Sequence, residues 1–273
     1  MQTILNIFLV LGGFGLLFGL ILAIASLVFY VKTDERLEPL TEALPGANCG
    51  GCGFSGCAGY ARAVLEGKAP IGLCSSGGDE SAQKMAAIMG VKAEKVARKV
   101  ALVRCAGTGA AKKGIYEGIA DCAAAMKVAG SGPNSCKYGC LGFGNCTRAC
   151  QYDAIHIANG VAKVDVEKCK GCMQCAAACP RHVIVPVEYH ADIIVACSSL
   201  AKGAATRRTC ESGCIGCGLC QKICPQGAIQ VKNNLATIDY SKCNSCGLCV
   251  PVCPRKLIAD ANLRTDMDIL PKS

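Results

Sequence analysis

Three stretches of this chain repeat one cysteine spacing, and that spacing limits what the chain can fold into more than any other feature. They are Cys169-x2-Cys172-x2-Cys175-x3-Cys179-Pro180, Cys214-x2-Cys217-x2-Cys220-x3-Cys224-Pro225 and Cys243-x2-Cys246-x2-Cys249-x3-Cys253-Pro254. Three thiolates separated by two residues wrap one cubane [4Fe–4S] cluster within a tight turn, and the fourth, on the outgoing segment, reaches a neighbouring cluster. One such run arises by chance or binds zinc; three, each with its trailing proline, point to a chain that handles electrons singly. A chain organised this way builds short hairpins and helical turns around inorganic cores.

The composition agrees. There are 24 cysteines in 273 residues, three histidines and no tryptophan. With few aromatics the apolar core is small, and metal binding supplies folding free energy in its place. Disulfide frameworks belong to short secreted chains and do not carry this repeated run. Zinc favours isolated C-x2-C pairs, often with histidine, and none of His156, His182 and His190 lies in a cysteine run. The formal charge of +9 suggests nucleic acid or an anionic membrane surface, but each oxidised cubane with four thiolates adds about −2. Five clusters bring the sum to about −1 and six to about −3, so no nucleic-acid partner is expected. Lys92, Lys95, Arg98, Lys99, Arg104, Lys112 and Lys113 form either a partner-docking face or a solvated helix surface.

The cysteines repeat along the chain with an offset of 74 residues, the mark of a tandem duplication. Cys136, Cys140, Cys146, Cys150, Cys169, Cys172, Cys175 and Cys179 return as Cys210, Cys214, Cys220, Cys224, Cys243, Cys246, Cys249 and Cys253. Alternating apolar residues around Asn159-Gly160, and again around Asn233-Asn234, predict one hairpin in each copy. Each copy is similar to a two-cluster bacterial ferredoxin. The second is expected to pair Cys214, Cys217 and Cys220 with Cys253, and Cys243, Cys246 and Cys249 with Cys224. In the first, Phe143 stands where Cys217 would align, so Cys136, Cys140 and Cys146 are expected to pair with Cys179, beside Cys169, Cys172 and Cys175 with Cys150. Cys105, Cys122, Cys197 and Cys210 remain; they supply a sixth site bridging the copies or are spare buried thiols. Cys122 and Cys197 read as near-equivalents, each about a dozen residues before Cys136 or Cys210.

Residues 1–31 carry no charged side chain, and Ile4 to Tyr30 is almost continuously apolar. As a helix that stretch is roughly 40 Å long, enough to cross a bilayer. It is too long for a cleaved signal peptide, no Lys or Arg precedes it, and without a cysteine it cannot be a lipoprotein anchor. Lys32 and Arg36 follow it, which favours a cytoplasmic location for the downstream domains. Gly15-x3-Gly19 suits close approach of another membrane helix. Next comes the glycine-rich run Leu44-Pro45-Gly46-Ala47-Asn48-Cys49-Gly50-Gly51-Cys52-Gly53-Phe54-Ser55-Gly56-Cys57, then Cys74 after a helical stretch around Gly59–Glu66. Those four cysteines suit one more [4Fe–4S] cluster. The expected architecture is α+β: a transmembrane anchor over residues 1–32, a small helical [4Fe–4S] domain over 33–90, and ferredoxin-like units over 91–190 and 191–273. Five clusters are expected, six if the remaining cysteines bind.

The glycine-rich run resembles the cluster domain of the B subunit of the Rnf membrane complex, in which L-P-G-x-N-C-G-x-C-G-[FY]-x-G-C is characteristic; a proline commonly stands there where this chain has Ser55. The order of anchor, cluster domain and ferredoxin units resembles the longer B subunits of that family along essentially the whole chain. The resemblance implies a bacterial or archaeal membrane complex that oxidises reduced ferredoxin and reduces NAD, coupled to Na⁺ or H⁺ translocation. Its implied partners are the other subunits, soluble ferredoxin as donor, and membrane lipid. The chain itself lacks a G-x-G-x-x-G after a strand and any nucleophile–base constellation, so it reads as a relay with no complete catalytic site. A polyferredoxin subunit of a hydrogenase- or heterodisulfide-reductase-like enzyme, and a non-redox zinc scaffold, are the alternative readings.

Overall fold

The computed structural model describes residues 2–28, 34–93, 95–107 and 116–260. It opens with helix α1 (Gln2–Val28), which has no acidic residue in its first turn and no basic residue in its last. Among the described residues no helix is long and apolar enough to cross a membrane.

Three helices follow, α2 (Leu37–Glu42), α3 (Cys57–Leu65) and α4 (Gly78–Met89). On α3 the buried positions are Tyr60, Ala61, Ala63 and Val64, and on α4 Ser81, Ala82, Met85 and Ala86, each set gathered on one face of its helix. The α2 and α3 stripes close with Met85 of α4 on a small core that includes Leu40, Leu44, Tyr60 and Val64. Asp79 and Glu80 lie in the first turn of α4, where the helix dipole favours them, and Gly90 ends it with φ 68° in the left-handed region.

The rest is built from four antiparallel sheets of two strands each. The hairpin β2 (Ile155–Ala158) and β3 (Val161–Val164) recurs 74 residues on as β6 (Ile229–Lys232) and β7 (Leu235–Ile238). Its turns hold Asn159 and Gly160 at φ 52° and 74°, and Asn233 and Asn234 at φ 51° and 64°, the paired left-handed residues that match strand twist. The other two sheets join opposite ends of each unit. β1 (Lys99–Val103) pairs with β4 (Ile184–Glu188), and β5 (Ile193–Val195) with β8 (Ile258–Asp260). Sequence alternation does not reveal these pairs, because each strand meets a distant partner.

Between the strands lie short helices: α5 (Cys122–Lys127), α6 (Asn145–Arg148), α7 (Gln174–Ala177), α8 (Gly203–Thr209) and α9 (Leu219–Ile223). The basic group of residues 92–113 is not one helix surface. Lys99 sits on β1, and Arg98 donates to the carbonyls of Val166 (2.8 Å) and Glu167 (3.0 Å) while stacking 4.0 Å from the Tyr189 ring centroid. Lys112 and Lys113 lie outside the described residues.

Candidate metal centres

The N-terminal pocket is lined by Cys49, Cys52, Cys57 and Cys74. Asn48 holds the loop that carries them. Its Oδ1 accepts from the Cys57 N–H at 2.8 Å, and its Nδ2 donates to the Gly46 carbonyl at 3.2 Å. A Cβ at Gly56 would lie 2.7 Å from that Oδ1, and Gly56 has φ +93°, so glycine is required there on two counts. Tyr60 fastens the strand of chain leading to Cys74: its hydroxyl donates to the Pro70 carbonyl (2.9 Å) and accepts from the Leu73 N–H (3.1 Å). Ser55 is exposed, so the one departure from the motif this run resembles falls on the surface.

This pocket abuts the first ferredoxin-like unit. Cys172 lines it too, Gln174 Nε2 donates to the Cys49 carbonyl at 3.1 Å, and a Cβ at Gly51 would stand 2.9 Å from the Cys172 carbonyl oxygen. Behind it, Cys175 has Cys169, Cys172, Cys146 and Cys150 as its cysteine neighbours, so the outgoing cysteine of the preceding run lies within reach of this one. In the second unit Cys214, Cys217, Cys220 and Cys253 line one pocket, and Cys249 has Cys243, Cys220 and Cys224 as neighbours. Cys246 is exposed.

One grouping differs from the sequence expectation. The remaining pocket of the first unit is lined by Cys122, Cys140, Cys146 and Cys179, without Cys136. Phe143 explains the exchange. Where the second unit has Cys217, the Phe143 ring packs against Tyr116 with centroids 5.3 Å apart, in a cluster with Cys122, Ala125 and Leu141. Asp121 caps α5 by accepting from the Ala124 N–H at 2.9 Å. Arg148 of α6 donates to Asp121 (2.8 Å) and to Asn145 (2.9 Å), and Asn145 Oδ1 accepts from the Cys122 N–H (2.8 Å). The helix α5 thus places the Cys122 thiol in this pocket. Cys122 and Cys197 are not equivalents: Cys122 begins α5, while Cys197 follows strand β5. The missing cysteine at Phe143 was the available signal, but the distance along the chain hid its replacement.

Cys136 lies instead with Cys105, Cys197 and Cys210 around a cavity of about 310 Å³ between the two units.

The donor sets fit iron–sulfur cores. All 24 cysteines are free thiols, and several sulfurs accept backbone N–H groups: Ala101 to Cys169 and Ala154 to Cys150, both at 3.4 Å. Burial pushes the thiols of Cys146 and Cys249 up to about 11 and that of Cys175 up to about 12. Bare thiolates there are costly unless a cationic core shares their charge. At Cys224 burial acts upward as well, but the N–H groups of Ile229, Ala228, Gln226 and Gly227 outweigh it and hold the thiol below its ordinary value. Among the described residues no three Cys, His, Asp or Glu side chains converge closely enough for a single metal ion; a cubane takes one thiolate at each of four separated irons.

Comparison with known proteins agrees with this geometry. Residues 44–76 match an Fe-S cluster family, residues 162–185 a 4Fe-4S binding domain, and residues 213–257 a 4Fe-4S dicluster domain. The chain is 45% identical over 236 residues, 85% of its length and 71% of the relative's, to the B subunit of the Na(+)-translocating ferredoxin:NAD(+) oxidoreductase complex of Acetobacterium woodii. It is 40% identical to the B subunit of the ion-translocating oxidoreductase complex of Methanosarcina acetivorans, covering 88% of this chain and 92% of that one. With the B subunit of the proton-translocating ferredoxin:NAD(+) oxidoreductase complex of Clostridium ljungdahlii it shares 42% identity over 88% and 86%. The chain belongs to the B-subunit family of the ion-translocating ferredoxin:NAD(+) oxidoreductase complexes.

Proposed function

We propose that this chain is the electron-transfer subunit of an ion-translocating ferredoxin:NAD oxidoreductase and works as a relay between soluble ferredoxin and its partner subunits. The observation that carries the relay is the run of cysteine-lined pockets along the chain: Cys172 of the first unit lines the N-terminal pocket, and a four-cysteine pocket follows in each ferredoxin-like unit. The ligand sets we assign are Cys49, Cys52, Cys57 and Cys74; Cys169, Cys172, Cys175 and Cys150; Cys122, Cys140, Cys146 and Cys179; Cys214, Cys217, Cys220 and Cys253; and Cys243, Cys246, Cys249 and Cys224. When bound there, [4Fe–4S] clusters accept and release single electrons at potentials set by hydrogen bonds and exposure. The chain's own residues do the rest. Cysteine sulfurs take backbone N–H bonds that stabilise the reduced, more negative state. Gln174 and Gly51 hold the N-terminal pocket against Cys172.

The second unit is where we place the donor. Cys217 and Cys246 are the two exposed cysteines of the chain. Beside them Leu219, Ile223 and Leu248 are 45%, 43% and 49% exposed. In the first unit the positions equivalent to Leu219 and Leu248 are Asn145 and Gln174, and both are occupied in docking a neighbouring part of the chain. The second unit offers the same two faces uncovered and apolar, with Lys222 and Lys242 nearby in sequence, a surface suited to an acidic ferredoxin. Leu248→Glu in the full chain is expected to slow its second-order reduction by reduced ferredoxin about tenfold, a loss of ~1.4 kcal/mol in docking, with iron content unchanged. Stopped-flow absorbance measures this, and an unaltered rate excludes the face.

We assign α1 as a single membrane anchor with the cluster domains on the cytoplasmic side. Its uncharged 27 residues amount to about 40 Å of helix, and its apolar side chains stand in the open, with Leu16 79% and Leu22 69% exposed. Alkaline carbonate washing is expected to leave the chain in the membrane pellet, and deletion of residues 1–28 to release it. Release of the intact chain by carbonate rules the anchor out.

A further inference from the structure

We propose that Cys105, Cys136, Cys197 and Cys210 hold a sixth [4Fe–4S] cluster on the seam between the two ferredoxin-like units. The four come two from each unit, and the site is pseudo-symmetric. Cys136 and Cys210 are related by the 74-residue repeat, as are Gly139 and Gly213, and Cys140 and Cys214. Cys105 lies two residues past the end of β1, and Cys197 two past the end of β5. Each of these sulfurs accepts the N–H of a cysteine in an adjoining pocket: Cys140 to Cys105 at 3.4 Å, and Cys214 to Cys197 at 3.3 Å. The two post-strand segments are joined directly by the Ala106 N–H to the Ala196 carbonyl at 3.0 Å, and Ser198 Oγ donates across the seam to the Tyr138 carbonyl at 2.8 Å.

The surroundings favour a bulky, negatively charged occupant with a thiolate at each corner. The cavity is about 310 Å³, large enough to admit a cubane core. A Cβ at Gly139 would lie 3.5 Å from Cys136 Sγ and 3.6 Å from Cys105 Sγ, so both thiols stand beside the same bare glycine backbone. Two arginines related by the repeat stand beside it. Arg255 donates to the Cys210 carbonyl at 2.6 Å and to the Gly213 carbonyl at 3.3 Å. Arg181 lies near Cys136 and Cys179; its Nη2 donates to the Ser131 carbonyl, and its buried Nε–H has no partner. An unpaired guanidinium N–H between two cysteine pockets is costly unless charge in those pockets compensates it. The cysteine segments Cys136–Cys140 and Cys210–Cys214 place this cavity directly between the Cys140 and Cys214 pockets, so the sixth site closes the gap between the two halves of the relay.

The test is metal analysis of the full-length chain purified without oxygen, and it does not depend on any electron donor. The unmodified chain is expected to hold about 24 iron and 24 acid-labile sulfide, four of each per cubane. Cys197→Ala is expected to lower both to about 20, and Cys136→Ala/Cys197→Ala to lower them no further, because the two ligands serve one cluster and their losses do not add. About 20 iron or about 22 in the unmodified chain, or one zinc per chain, overturns the assignment. So does a double variant that loses twice what the single variant loses.

Discussion

Stripping iron and sulfide is expected to unfold the chain from Leu37 to Asp260 while leaving α1 helical in detergent. No sheet among the described residues has more than two strands, and the longest strand has five residues; an isolated two-stranded hairpin is marginal in water. Helices α5, α6, α7 and α9 have four to six residues, well short of the ~12–15 that hold a helix on their own. Tyr60 is the one aromatic side chain among the largest fully buried residues. In the proposed ligand sets, ligation is what fixes these pieces, and one set ties segments as distant as Cys122 and Cys179. Without iron the buried cysteines revert to neutral thiols, because burial holds the thiols of Cys105 and Cys146 up to about 11, and nothing then draws the segments together. Hydrogen exchange in the cluster domains is expected to speed up by roughly 10³–10⁴-fold, the protection of a domain stable by ~5 kcal/mol. Slow exchange persisting over β1 and β4 after complete iron removal would show that the apolar cores suffice. Helix α1 satisfies its hydrogen bonds internally and carries no ligand, so it serves as the internal control.

The same dependence on ligation explains which features the sequence declares. A thiolate run that wraps one cluster is local, so Cys214 to Cys224 and Cys243 to Cys253 declare themselves by spacing alone. The hairpins at Asn159-Gly160 and Asn233-Asn234 are equally local, and they form with the left-handed turn residues that the letters announce. Two kinds of feature escape. The sheets β1–β4 and β5–β8 join ends of a unit through strands whose apolar residues do not alternate, as in Val100-Ala101-Leu102-Val103. A ligand brought from an insertion is the other kind. Cys122 has no run around it; its partners Cys140, Cys146 and Cys179 are chosen by Asp121, Asn145 and Arg148, which dock α5 on α6. Phe143 marks the gap in the pattern, but only the fold says which thiol fills it.

Replacing Cys122 therefore separates the two ways of grouping the first unit's cysteines, and its effect is large. If Cys122 ligates with Cys140, Cys146 and Cys179, then Cys122→Ala loses one cubane, about four iron and four sulfide per chain. Adding Cys146→Ala costs no more, because both thiols serve the same cluster, whereas adding Cys136→Ala costs about four further irons, because that thiol serves another. The grouping expected from the repeat gives the opposite pattern: Cys136→Ala and Cys146→Ala share one loss, and Cys122→Ala leaves that cluster intact. Two further readouts tie the result to the pocket. Asn145→Ala removes the acceptor of the Cys122 N–H and frees one hydrogen bond of Arg148, so it is expected to make that one cluster labile to chelators while the other sites keep theirs. Phe143→Cys restores the thiol that the second unit carries as Cys217. In the Cys122→Ala background it is expected to recover the lost four iron, since a cysteine at that position completes the same run of spacing that binds in the second unit. Recovery by Phe143→Cys would be strong support for a ligand exchanged during divergence of the two repeats, and failure of both Cys122→Ala to lose iron and Phe143→Cys to restore it would return Cys136 to the set.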